Sequence, residues 1–133
     1  MSDRQSSAAH EHSWLDKADD GLRVARVILA GGIGAEWAAC FHAQQAAEKA
    51  LKALLVHLGI DFPKSHSLGR LSALMPTGVE ARFDSDALAT LDPWAVAGRY
   101  PEDIDDPDHV QATRTVDIAA DIVEQSRAII DDG

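Results

Sequence analysis

The chain has 133 residues, of which 46% are hydrophobic, and its 22 acidic and 12 basic side chains give a formal charge of −10. This length matches one domain and the apolar fraction suffices for a core, which excludes a second domain and disorder throughout. The excess of carboxylates repels phosphate backbones, so broad affinity for nucleic acid is excluded unless the basic side chains lie on one face.

The N-terminal residues 1–12 are polar and lack the apolar core of a signal peptide, so we expect a mobile tail. Ser13 is the predicted N-cap of the first helix, in which small and apolar side chains recur at helical spacing from Trp14 to Leu29. Three glycines within residues 31–34 end this helix. The short turn predicts that the second helix returns antiparallel to the first.

The second predicted helix runs from about Ala35 to Leu58, with Gly59 as its C-terminal stop. It is the longest and most apolar element and is therefore expected at the centre of the fold. It contains Cys40, the only cysteine, which predicts a buried reduced thiol and no disulfide. No stretch approaches about 18 uninterrupted apolar residues, so we expect a cytoplasmic protein without a membrane segment.

Two short helices are predicted next, one from about Leu68 to Leu74 and one from Ser85 to Leu91. Pro93 should break the second of them, leaving residues 94–100 as an irregular or short helical segment that aromatic side chains anchor to the core.

The last helix is predicted to start at Asp106 as N-cap, followed by Pro107 and Asp108 in the first turn. Its expected apolar face comprises Val110, Thr113, Val116, Ala120, Val123, Arg127 and Ile130. No segment alternates with a period of two, so a sheet is not supported. The predicted fold is all-α, an up-and-down bundle of about five helices with a four-helix-bundle core over residues 13–131.

The run from Phe41 to Leu55 resembles the QQAAEKALKALL signature of HEPN domains. Further similarities follow in the family's order along the chain. Residues 59–63 look like its glycine-to-proline link, residues 65–68 are similar to its T-H-D-L motif, and residues 99–101 match its R-Y-P segment. The resemblance implies a helical bundle that pairs into a homodimer and operates beside a small nucleotidyltransferase in prokaryotes, including toxin–antitoxin-like systems.

Some HEPN proteins are metal-independent ribonucleases whose active site is an Arg-x(4–6)-His motif on a helix. The one match to that spacing here is Arg4 to His10, within the predicted tail. Arg99 and His109 have nine residues between them, which is too many for the motif. The resemblance alone therefore does not predict ribonuclease activity.

A polar stripe runs along the second helix, where Glu48 and Lys52 have the spacing of a helical ion pair. A central helix buries much of its surface and buried charges need partners, so we expect Arg99 beside Glu48. On spacing alone, a solvated face and a capping role for His66 are the plainer alternatives. With the resemblance, the predicted ligand-binding groove comprises Gln45, Glu48, Lys49, Lys52, His66, Arg99 and Tyr100.

Three functional hypotheses follow. The first is a homodimeric HEPN binding module, the partner or substrate-binding companion of a nucleotidyltransferase, which binds a nucleotide or other anionic ligand. The second is an RNA-cleaving toxin in which Arg99 and either His109 or His66 converge in space as acid–base and electrostatic groups. The third is a structural dimerisation module. No metal site and no cofactor are predicted.

Overall fold

The computed structural model describes the backbone of residues 3–96 and 105–132, and the side chains of residues 11–95 and 105–132. These ranges contain helices and no strand, which confirms the predicted all-α class. Three helices are long and the others are short. The helices are α1 (Asp3–Gly31), α2 (Glu36–His57), α3 (Leu68–Ala73), α4 (Thr77–Glu80), α5 (Ser85–Leu91), a 3-10 helix (Asp92–Val96) and α6 (His109–Asp132).

Helix α1 differs from its predicted start. It begins at Asp3, so the prediction of Ser13 as N-cap is wrong and part of the segment expected as a tail is helical. The residues before Ser13 include Ala, Gln, Arg and Glu, which all favour helix. They also gain a tertiary contact, because the buried Glu11 carboxylate lies 3.1 Å from His57 Nδ1 on α2.

Helices α1 and α2 form an antiparallel hairpin whose two members approach closely. A Cβ atom at Gly21 would lie 3.3 Å from the Cβ of Ala46 and 3.4 Å from the carbonyl oxygen of His42. A glycine at this position therefore lets the two backbones approach. Trp14, two turns earlier on α1, lies beside Lys52 on α2. This pairing sets the register in which side chains of the two helices meet.

Helix α2 lies at the centre of the bundle, as predicted, and packs against both α1 and α6. Its buried side chains include Ala47, Leu51 and Leu54, all without exposed surface. The predicted stop is confirmed, because Gly59 has a φ of 72° and the Ile60 N–H donates to the Leu55 carbonyl at 2.9 Å. This is the hydrogen bond that closes a helix whose following residue is left-handed.

Among the short helices, α3, α5 and the 3-10 helix contact α2, and α5 also contacts α6. Helices α3 and α5 have the positions predicted for them, whereas α4 was not predicted because its four residues carry no helical period. Trp94 in the 3-10 helix is buried against Cys40 and Ala112, which confirms the anchoring role predicted for this aromatic residue. Cys40 is free and buried, as expected.

Helix α6 differs from the prediction in its cap and in its face. Asp108 is the cap, because its Oδ1 accepts a hydrogen bond from the Gln111 N–H at 2.7 Å, so the assignment to Asp106 is wrong. Val110, predicted to face the core, is 76% exposed. The buried face is rotated and comprises Ala112, Thr115, Val116, Ala119, Ile122, Val123, Ser126, Ile129 and Ile130. Within the described ranges, no helix has the length and apolar character that crossing a membrane requires.

Candidate functional site

The centre of the candidate site is the carboxylate of Glu48, which α2 buries to 5% side-chain exposure. Its Oε2 accepts a hydrogen bond from Lys52 Nζ at 2.9 Å, and its Oε1 lies 3.0 Å from His66 Nδ1. Both oxygens therefore have a partner, as a buried charge requires. Because an ionised carboxylate only accepts hydrogen bonds, we assign the proton of this contact to Nδ1 of His66.

The backbone on both sides of the His66 side chain is fixed by hydrogen bonds. The fully buried Gln44 donates its Nε2 to the His66 carbonyl at 2.9 Å. Ser67 is the N-cap of α3, and the next N–H, that of Leu68, donates to Asp92 Oδ1 at 2.7 Å. The His66 side chain is 58% exposed although its carboxylate partner is buried. The imidazole is thus held in place with one edge inward and the other towards solvent.

Lys52 is held by aromatic rings as well as by Glu48. Its Nζ lies 5.7 Å from the centroid of the Trp14 ring and 5.8 Å from that of the Phe62 ring. These distances are in the range of attraction between an ammonium group and an aromatic face. The charge of Lys52 therefore remains within the site while its methylene groups cover apolar surface.

Lys49 and Lys17 complete a group of three lysines with Lys52. Lys49 is one turn before Lys52 on α2, and the antiparallel register places Lys17 opposite Lys49, because Trp14 meets Lys52 and Gly21 meets Ala46. Partial burial lowers the pKa of Lys49, and the charges of Lys52 and Lys17 lower it further against the opposing effect of Glu48. We call Lys17, Lys49 and Lys52 the lysine cluster.

The lysine cluster also influences the neighbouring histidine on α2. Partial burial lowers the pKa of His42, and the charge of Lys49 adds to this effect. In the described part of the chain no carboxylate oxygen lies within 4.0 Å of Lys49 Nζ, whereas Glu48 is engaged with Lys52 and His66. The local surplus of positive charge therefore favours an anion.

The structure brings most of the predicted site residues together. Glu48 contacts both Lys52 and His66, and Gln45 donates to Gln44 Oε1 at 2.7 Å. Among the described residues, the partners of Glu48 are Lys52 and His66. Arg99, which was expected beside it, and Tyr100 lie outside the described residues.

Several contacts of the site were absent from the sequence prediction, namely those of Gln44, Asp92, Trp14, Phe62 and Lys17. Gln44 carried a signal, because a polar residue in the apolar stripe of a central helix requires a buried partner. The sequence carries no such signal for Asp92 or Trp14. Asp92 contacts the start of α3 and Trp14 contacts Lys52, and both contacts join elements far apart in the chain.

The ribonuclease hypothesis pairs Arg99, which lies outside the described residues, with either His109 or His66, and these two histidines lie in different parts of the fold. His109 Nδ1 lies 3.8 Å from Glu36, and His66 lies beside Glu48. These two glutamates are twelve residues apart on α2, which corresponds to about 18 Å along the helix axis. Arg4 and His10, which have the spacing of the ribonuclease motif, were expected in a tail. The backbone at both positions instead belongs to α1.

A groove lies between α5 and α6, away from the predicted residues. Its lining includes one arginine, Arg82, and four carboxylates, those of Asp84, Asp86, Asp121 and Glu124. Their charge disfavours an anion in that groove. Among the described residues no three histidine, cysteine or acidic side chains converge as metal ligands do. The lysine cluster with the Glu48–His66 pair is therefore the candidate site.

Comparison with known proteins gives the family. A model of the HEPN domain matches residues 12–131. The crystal structure of TT1696 from Thermus thermophilus is similar, with 31% identity, a TM-score of 0.76, and coverage of 90% of this chain and 97% of that one. ST0689, an archaeal HEPN homologue, has 27% identity, a TM-score of 0.69, and coverage of 91% and 98%. No curated protein matches significantly. The chain belongs to the HEPN domain family.

Proposed function

We propose that this protein is a cytoplasmic, homodimeric HEPN binding module that accepts a nucleotide or similar phosphate-bearing ligand at the lysine cluster. The observation that carries the proposal is the placement of charge. The chain is acidic overall, yet three of its four lysines converge where α1 pairs with α2. Crowding of like charges costs free energy that a bound phosphate would recover.

The surroundings of the lysine cluster also suit a nucleotide. The rings of Trp14 and Phe62 are half-buried beside Lys52, so they offer apolar surface next to a cation. Aromatic rings stack on bases, and ammonium groups bind phosphate as point charges. Both parts of a nucleotide therefore have a complementary group at this site.

Titration with AMP, with adenosine as the control that lacks phosphate, tests this proposal. We expect calorimetry to detect AMP binding that weakens with salt, and adenosine to bind at least tenfold more weakly. Lys49→Gln should reduce the affinity for AMP. The matched control is Arg114→Gln, which removes one exposed positive charge on α6 and should leave the affinity unchanged. Equal affinities for AMP and adenosine would contradict the proposal.

The family resemblance supports a nucleotidyltransferase as the protein partner. Co-purification of the tagged chain from its native host, under gentle conditions and followed by mass spectrometry, should recover such an enzyme. Recovery of neither a nucleotidyltransferase nor a nucleotide would remove the support for the companion role and leave the structural dimerisation module as the better description.

Exposed apolar side chains support the proposed homodimer. Val24, Val27, Ile33 and Trp37 are all exposed and lie where α1 ends and α2 begins. Apolar surface concentrated in one region is typical of an interaction site. Light scattering should give the mass of a dimer for the wild type and that of a monomer for Val27→Asp. A monomeric wild type at micromolar concentration would contradict this part of the proposal.

A further inference from the structure

Two of the described histidines contact a buried glutamate through Nδ1, and they differ in how much of the ring is exposed. His57 Nδ1 lies 3.1 Å from Glu11 Oε2, and its side chain is 21% exposed. His66 Nδ1 lies 3.0 Å from Glu48 Oε1, and its side chain is 58% exposed. In the neutral ring with the proton of this contact on Nδ1 of His66, Nε2 has the free lone pair. An oriented imidazole with an accessible Nε2 is the arrangement of a nucleophile or base.

We propose that His66 is a phosphoryl-accepting residue, with Nε2 as the nucleophile, Glu48 as its positioning residue and the lysine cluster as the site that holds the donor. This inference deepens the proposed function and rests on it, because the same cations would bind the phosphate of the donor. The chemical class of donor is a small phosphoramidate or acyl phosphate, whose phosphorus carries a good leaving group.

The transfer can be written in balanced form. The Nε2 lone pair attacks phosphorus, the Nε2–P bond forms, and the bond from phosphorus to the leaving group breaks. The leaving group departs with the electron pair and takes a proton from water. The ring becomes positively charged as the bond forms, and the carboxylate of Glu48 at Nδ1–H stabilises that charge.

Lys52 has a separate role in this scheme. Its Nζ binds Glu48 Oε2 while Nδ1 of His66 binds Oε1, so the ammonium group and the imidazole lie on the two oxygens of one carboxylate. Lys52 therefore holds the carboxylate that in turn orients the imidazole. Its charge adds to those of Lys49 and Lys17, which favours a phosphate-bearing donor over a neutral one.

Incubation of the folded chain with potassium phosphoramidate, followed by mass spectrometry under basic conditions, tests the inference. The chain has six histidines, and we expect one phosphoryl group per chain, on His66. His66→Ala should lose this adduct, whereas His57→Ala, which removes the histidine in contact with the buried Glu11, should retain it. Glu48→Gln should react more slowly and with a changed pH profile. Circular dichroism and urea midpoints establish that each variant is folded.

Several outcomes would overturn the inference. The first is that the label on the folded chain is spread over its histidines, as it would be in the chain unfolded in urea. The second is that His66→Ala forms as much adduct as the wild type. The third is that the folded protein forms no adduct. AMP binding measured on the same samples separates the two proposals. Binding without phosphorylation refutes the inference alone, whereas phosphorylation of His66 without AMP binding refutes the proposed nucleotide site alone.

Discussion

The charged groups that α2 buries differ from the ion pair that joins the surfaces of α1 and α6. Glu48 is buried on α2 and uses both oxygens for Lys52 and His66. Asp19 on α1 and Arg127 on α6 form a two-oxygen contact of 2.7 and 2.8 Å with side chains 42% and 34% exposed. The distances are alike, so burial is the difference between the two sites. Water screens the charges of an exposed pair, so the pair contributes little to the free energy of unfolding. Removal of one partner of a buried pair leaves the charge of the other buried without compensation.

The largest effect is expected for Glu48→Ala. This change leaves Lys52 charged at 12% side-chain exposure without its carboxylate and frees the imidazole of His66. The free energy of unfolding should fall by about 3–5 kcal/mol, as measured by urea denaturation. The double variant Glu48→Ala/Lys52→Ala should recover part of this loss. A loss for Glu48→Ala as small as that of an exposed pair would break the comparison.

The second prediction concerns Cys40, another polar group that α2 buries. Burial raises the pKa of its thiol from 9.0 to about 11. The unfolded chain then loses this proton first, so the folded state binds more protons between these pKa values and stability falls as the pH rises from 9 to 11. The loss should approach about 3 kcal/mol, since each pKa unit corresponds to about 1.4 kcal/mol.

Urea unfolding is measured with reductant at pH values across this range, for the wild type and for Cys40→Ala. The difference between the two proteins gives the contribution of the thiol to stability, because all other groups titrate in both. The difference in stability between the two should shrink at alkaline pH. A difference that is independent of pH would show that the folded protein does not retain the thiol proton.

The smallest effect is expected at the surface pair. Asp19→Asn should lower the free energy of unfolding by no more than about 1 kcal/mol, and the loss should diminish in high salt. The matched control is Arg23→Gln, which removes the ion pair between Arg23 and Asp20. That pair is still more exposed than the pair of Asp19 with Arg127. An effect of Asp19→Asn that equals that of Glu48→Ala would mean that contact geometry, and not burial, determines the energy.

The features that were predicted correctly are those determined by residues close together in the chain. The bounds of α2 and α5 follow from apolar periodicity and from Gly59, and the Glu48–Lys52 pair follows from helical spacing. The contact of His66 with Glu48 could not be predicted, because its partners are 18 residues apart and meet only through the fold.

The start of α1 was misplaced for a similar reason. The pattern of residues 1–12 shows their polarity but not the contact of Glu11 with His57, which depends on the α1–α2 pairing. The cap of α6 was misplaced by two residues, since several aspartates there satisfy the same local rule and only hydrogen bonding to Gln111 distinguishes them.

The close pairing of α1 and α2 has a consequence for the order of folding. These helices follow each other in the chain and share the most extensive interface of the described residues, whereas α6 must return over about fifty residues to reach α2. Contacts between neighbours in the chain form with the smaller loss of loop entropy. We therefore expect pulse-labelled hydrogen exchange to show protection of α1 and α2 amides before those of α6. On this route the lysine cluster and the Glu48–Lys52 pair would already be formed before α6 packs against α2.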